Sequence, residues 1–267
     1  MENIARSIQS KYSFFDNLWQ TWARNGNFLK LELKNIKWKN KPAHDGKAYV
    51  PTSIEHFANV VTHGLWIIPA VYATFELFDK SSTREQFMVA LVYGSTLIFL
   101  FLVSTFFHCV FFCNSHNSLK NALHRCDRAM IYVFIAGSYF PWLQLVNTTK
   151  SLVFTSLEWL IWILAALGIT YQQLYHERFK WLETLLYLVM GLGPALVVIF
   201  TGHEFNGMTE LEIGGLLYII GIGFFKSDGR IPLAHAIWHL FVVLAASVHY
   251  YAIWKHLFST RMIVSDI

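Results

Sequence analysis

From about residue 55 to residue 258 the chain alternates between long apolar runs and short polar connections. A helix needs about 20 predominantly apolar residues to cross the hydrocarbon core of a bilayer. The clearest run lies between Glu85 and Lys120, where no charged side chain occurs. The runs predict seven membrane-spanning helices, over 56–78, 87–112, 128–147, 152–174, 182–201, 208–225 and 232–254.

The sixth predicted span has the weakest apolar pattern. Only 213–225 is free of charge, so this helix must include 208–212 at an interface to cross the membrane. The fifth span contains Gly191, Gly193 and Pro194, and this combination predicts a bend. Prolines are tolerated in such helices because neighbouring helices satisfy the freed backbone groups.

Outside the spans the chain divides into three parts. Residues 1–54 form a basic N-terminal arm, 55–258 the membrane domain and 259–267 a short tail. Lysines of the arm between residues 30 and 47 are interleaved with Leu, Ile and Trp. Such a segment either lies on an anionic leaflet, where each cation adds about 1 kcal/mol, or remains a solvated arm. We do not expect a nucleic-acid partner.

Composition and charge support a membrane protein and predict its orientation. Of 267 residues, 55% are hydrophobic and only 14% are charged, which excludes an ordinary soluble domain. Sixteen of the twenty-one Lys and Arg residues fall on the side of the N-terminus. Positive charge favours the cytoplasmic side. We therefore predict an all-α, seven-helix bundle with a cytoplasmic N-terminus and a lumenal or extracellular C-terminus.

Several polar side chains interrupt the apolar runs, and those at the ends of four elements fall near the predicted cytoplasmic face. His235 and His239 lie one turn apart at the start of the seventh span. His108 lies near the end of the second span, with Ser104 one turn before it, and Asp127 opens the third. Alternate spans run in opposite directions, so the predicted topology places these groups at a similar depth.

Three neutral imidazoles with a fourth position left to water are typical of a zinc site. His108, His235 and His239 are the candidate ligands, and Asp127 and Ser104 are candidates for orienting a metal-bound water. Zinc lowers the pKa of bound water to about 7, which would make it a nucleophile. The alternative is that the histidines are packed and hydrogen-bonded without a metal.

A second zinc site is conceivable at the connection after the second span. Cys113, His116, His124 and Cys126 offer two thiolates and two imidazoles, although their spacing is irregular.

On the outer side, the sequence 147–149 is a glycosylation sequon close to the membrane.

The polar residues together carry a resemblance to a known family. The motif residues are Glu55, Asn59 and His63 in the first span, Ser104 and His108, Asp127 and Arg128, and His235 and His239. This pattern resembles the progestin and adipoQ receptor family, which includes bacterial haemolysin III-like proteins. Segments starting at Cys126, Phe224 and His249 are similar to its monocyte-to-macrophage differentiation factor branch. The similarity covers about residues 50–258.

The resemblance implies a seven-helix bundle with zinc on His108, His235 and His239, next to Asp127 and Ser104. It also implies a receptor-like or modulating role in Ras and kinase signalling, with cytoplasmic signalling partners. The expected location is the Golgi or another endomembrane, with the plasma membrane as the alternative. A zinc-dependent amidase acting on ceramide-like sphingolipids, with Asp127 and Ser104 catalytic, remains open.

A conventional G-protein-coupled receptor is disfavoured. Asp127 and Arg128 begin the third span on the cytoplasmic side, whereas the comparable pair ends that span in those receptors. The seventh span also lacks an Asn-Pro-x-x-Tyr motif.

Overall fold

The computed structural model describes residues 37–44, 46–113, 117–146, 152–202 and 204–258, and every regular element in these ranges is helical. The elements are α1 (Ser53–Gly64), α2 (Ile67–Lys80), α3 (Arg84–Cys113), α4 (Asn117–Leu145), α5 (Leu152–Leu174), α6 (Lys180–Phe200), α7 (Met208–Phe225) and α8 (Ala234–Ile253). A π-helical turn, Trp254–Phe258, extends α8. The predicted all-α fold is confirmed.

Six described helical segments are long and apolar enough to cross a membrane. They are Ser53–Lys80, Arg84–Phe112, Leu152–Leu174, Lys180–Phe200, Met208–Phe225 and Ala234–Phe258. The remaining predicted span lies within α4, which has 29 residues and is therefore about 43 Å long. Large apolar side chains such as Ile68, Leu152 and Phe200 are about four-fifths exposed, at 79%, 82% and 84%. These surfaces contact membrane lipids.

Several sequence predictions lie outside the described residues. The first 36 residues of the arm, the tail 259–267, the sequon 147–149 and His116 belong to this group. The orientation of the bundle in the membrane stays a prediction.

The first span consists of two helices and starts at a well-defined cap. The side chain of Thr52 accepts the backbone N–H of Glu55, and the carboxylate of Glu55 accepts the backbone N–H of Thr52. This reciprocal arrangement is a capping box. It begins α1 at Ser53, and the helix then presents Asn59 and His63, four residues apart, to the protein interior.

The helix α3 lies at the centre of the bundle and packs against α1, α2 and α4, while α8 packs against α1 and α7. Glycines allow close packing between helices. A methyl group at Gly137 of α4 would lie 2.3 Å from Thr96 of α3, and one at Gly168 of α5 would lie 2.3 Å from Tyr132. Small residues bring membrane helices together because they let backbones approach.

Contacts are sparse between α6 and α7. The helix α6 packs against α5 and α4, whereas α7 packs against α8. Around the predicted bend, Gly191 and Gly193 face open space, and the hydroxyl of Tyr139 donates to the carbonyl of Gly191. The helices α6 and α7 therefore pack mainly against other helices and not against each other.

Candidate metal centre

Polar groups from four helices meet around a cavity of about 80 Å³. Its polar lining includes Asn59, His63, Ser104, His108, Asp127, His235 and His239. A cavity that holds a water needs roughly 10–15 Å³, so this one has room for an ion and several waters. The structure thus brings all five candidate site residues to one cavity.

The three candidate ligands come from two helices. His108 is on α3, and His235 and His239 are on successive turns of α8. One ring nitrogen from each lies within 4.8 Å of the others. The ring centroids are 5.3 Å apart for His108 and His235, 5.2 Å for His108 and His239, and 4.8 Å for His235 and His239. This convergence suits one metal ion.

Unpartnered ring nitrogens make the fit to a metal more specific. Both nitrogens of His108 are buried without a hydrogen-bond partner. For His239, Nδ1 lies 3.0 Å from the hydroxyl of Thr62, and that hydroxyl donates to the carbonyl of Ala58. A hydroxyl has one proton, so it must accept from Nδ1–H of His239. That tautomer leaves the lone pair on Nε2 free for a metal.

Asp127 and Ser104 lie beside the imidazoles. The hydroxyl of Ser104 lies 2.9 Å from Nδ1 of His63 and lines the cavity together with Asp127. The ring of His63 also stacks on His239, with centroids 3.6 Å apart. Asp127 lines the same cavity but is not in the group of converging ligand atoms.

Sequence reasoning missed two outer partners of the candidate ligands. One is Thr62, which follows Asn59 on the polar part of α1. The other is Asp228, on the turn between α7 and α8, whose Oδ2 lies 3.5 Å from Nδ1 of His235. The sequence did offer a signal for Asp228. It is an acidic residue that lies just beyond an apolar run and seven positions before His235.

A second polar cluster surrounds Arg128. Its guanidinium contacts Glu183 at 2.6 Å and Glu177 at 2.8 Å, and Nε donates to His124 at 3.2 Å. The other ring nitrogen of His124 lies 3.1 Å from Nε2 of His176. His124, His176 and Glu177 are close enough to hold a metal. However, the guanidinium already supplies a positive charge there, and both nitrogens of His124 are engaged.

Two groups of this cluster lie outside the membrane-spanning helices. Burial lowers the pKa of His176 to about 4, which keeps the ring neutral at pH 7. Burial alone would raise the pKa of Glu177, but Arg128 and Lys180 outweigh it and hold that pKa below its usual value.

The alternative Cys2His2 site receives no support from His124, which bonds to Arg128 and His176, or from Cys126, which is exposed.

Residues 37–44 and 46–50, which we call the strap, lie at one end of the cavity. Ala48 and Tyr49 line it. The hydroxyl of Tyr49 donates to Glu55 at 2.8 Å and accepts from the backbone N–H of Asn40 at 2.9 Å. Part of the predicted basic arm is therefore packed against the membrane domain.

Comparison with known proteins places the chain among membrane proteins. The profile of the family described as haemolysin-III related matches residues 52–250. The chain is 46% identical over 231 residues to monocyte to macrophage differentiation factor from Homo sapiens, covering 86% of this chain and 96% of that protein. It is 32% identical over 211 residues to hemolysin-3 from Bacillus cereus, covering 77% and 93%. Adiponectin receptor protein from Drosophila melanogaster is 22% identical over 217 residues, covering 73% and 49%.

Proposed function

The chain belongs to the haemolysin-III-related family, and from this premise we propose that it is an intramembrane zinc protein acting in signalling. The ligands are His108, His235 and His239. The observation that carries the proposal is the convergence of these rings while both nitrogens of His108 lack a partner. Zinc is the metal of choice because it takes three imidazoles and keeps a fourth position open.

In this role the metal joins α3 to α8. The helix α8 packs closely against α1 and α7, and His108 of α3 meets it through side chains in the cavity. A ligand in the cavity would then act on both helices at once. We propose that the ligand is a sphingolipid-like lipid and that its binding changes the activity of cytoplasmic signalling proteins at an endomembrane. A receptor role is in keeping with the receptor-related name of one relative.

The second candidate function is hydrolysis of a lipid amide at the same site. A bound zinc would supply a polarised water of lowered pKa there. Asp127 lines the same cavity, and in this role it would accept a proton from such a water. The sparse packing between α6 and α7 favours this reading, because a lipid substrate would need to enter between helices that do not pack tightly against each other. No residue of α6 lines the cavity.

Metal content of the purified protein tests the zinc site. We expect about one zinc ion per chain in nanodiscs by mass spectrometry, lost in His108→Ala and His239→Ala. His249→Ala is the matched control, because His249 is also on α8 with both ring nitrogens buried, yet it does not line the cavity. A wild-type protein free of metal after purification in zinc would refute the proposal.

Ceramide hydrolysis by the same samples separates the two functions. The amidase requires that wild type release fatty acid and that Asp127→Asn keep its zinc but lose turnover. Under the signalling role, wild type and Asp127→Asn release fatty acid at the same background rate. His108→Ala then changes kinase phosphorylation in cells, measured against His249→Ala at equal expression.

A further inference from the structure

His235 lies in the first turn of α8, and the start of this helix lacks a side-chain cap. The helix α8 begins after Leu233, whose φ of 57° is in the left-handed region, and no side chain caps it. A non-glycine residue in this region is strained because its Cβ crowds the following carbonyl oxygen. Contacts from outside α8 therefore contribute to the orientation of His235, beside its contact with the ring of His239 on α8 itself.

Asp228 supplies such a contact. Its Oδ2 lies 3.5 Å from Nδ1 of His235, while its Oδ1 is buried without a hydrogen-bond partner. A carboxylate on Nδ1–H selects the tautomer whose Nε2 lone pair is free, and it makes that nitrogen a better ligand. Asp228 itself is not part of the group whose ligand atoms converge on the metal position.

The strap in turn contacts the backbone beside Asp228. Gly229 has a φ of 74°, and a methyl group there would lie 2.6 Å from the nitrogen of Pro42. Lys39 donates its ammonium to the carbonyl of Gly229 at 3.0 Å. Since the strap is also bonded to Glu55 through Tyr49, it connects the cap of α1 to the turn that carries Asp228.

We propose that Asp228 is a positioning residue for the metal centre and that the strap holds it in place. The inference rests on the proposed zinc site and deepens it. A metal-binding His whose outer partner is removed typically loses 10–100-fold in metal affinity. An isolated surface ion pair, by contrast, contributes little to stability, and its loss would leave zinc affinity unchanged.

Zinc competition with a chelator in nanodiscs tests Asp228. We expect Asp228→Asn to bind one ion per chain at saturation but with about 10–100-fold weaker affinity. Cobalt substitution gives a second readout, because a rotated imidazole changes the visible absorption of the bound ion. Wild-type affinity together with a wild-type cobalt spectrum in Asp228→Asn would overturn the role of Asp228.

Substitutions of two lysines in the strap test whether the strap holds Asp228 in place. Lys39→Met removes the bond to Gly229, and we expect a few-fold loss of zinc affinity. Lys37→Met removes an exposed cation of the same strap and serves as the matched control. Equal zinc affinity in the two variants would refute the role of the strap, and this test does not depend on the folding of Asp228→Asn.

The outcomes also distinguish this inference from the proposed function. If wild type binds no zinc, the zinc site itself is wrong. If wild type binds zinc and Asp228→Asn binds it equally well, the zinc site stands and only the positioning role fails.

Discussion

Replacing His108 by leucine should change stability in opposite directions with and without zinc. The side chain is 3% exposed and both ring nitrogens lack a partner. Burying a polar group without a hydrogen bond costs about 1–3 kcal/mol, so the metal-free variant should be more stable than metal-free wild type by that amount. With zinc at a thousandfold excess over Kd, wild type gains about 4 kcal/mol that the variant cannot gain.

The assay is unfolding in detergent micelles, with excess zinc and with a chelator. His249→Leu is the matched control, because His249 also has both ring nitrogens buried and unpartnered but lies outside the cavity lining. Without metal, we expect His249→Leu to be more stable than wild type, as His108→Leu is. With zinc, we expect His249→Leu to show the same increase in stability as wild type. If His108→Leu keeps the full zinc-dependent increase, His108 is not a ligand.

Three further predictions concern the surroundings of the site. Thr62→Val removes the acceptor for Nδ1 of His239, and chelator competition should show roughly 10-fold weaker zinc binding; unchanged affinity would exclude Thr62 as an outer partner. Gly168→Ala places a methyl group 2.3 Å from Tyr132, and unfolding should show a loss of about 1–3 kcal/mol; Gly215→Ala, which meets open space, should be neutral. The pKa of His176 is lowered to about 4, so the unfolded chain binds its proton first and stability falls as pH drops from about 6.5 to 4. In His176→Gln, melting temperature should depend less on pH in that window, and an unchanged pH profile would contradict the buried neutral ring.

Hydropathy predicted the bounds of a helix well where the helix and the predicted span end at the same residues. The predicted span 152–174 coincides with Leu152–Leu174, and 208–225 with Met208–Phe225. It failed where a helix continues beyond the apolar run. The helix α4 starts at Asn117 and not at 128, because its first turns carry polar side chains that hydropathy does not count as helix.

The break in the first span was also missed. The helices α1 and α2 are separated at Leu65 and Trp66, where the local signals are Gly64 before the break and Pro69 after it, and hydropathy does not register them. The capping box that starts α1, by contrast, is visible in the sequence as Thr52 followed three residues later by Glu55.

For the candidate site, the sequence alone determined which polar side chains share a depth in the membrane. Position along each span is enough to place His108, His235, His239 and Asp127 near one face. Only the tertiary structure decided which groups touch them, such as Thr62 on His239 and Asp228 on His235. The physical reason is that an apolar run records distance along the membrane normal. The rotation of each helix and its choice of neighbours depend on side chains packing between helices, as Gly168 does against Tyr132.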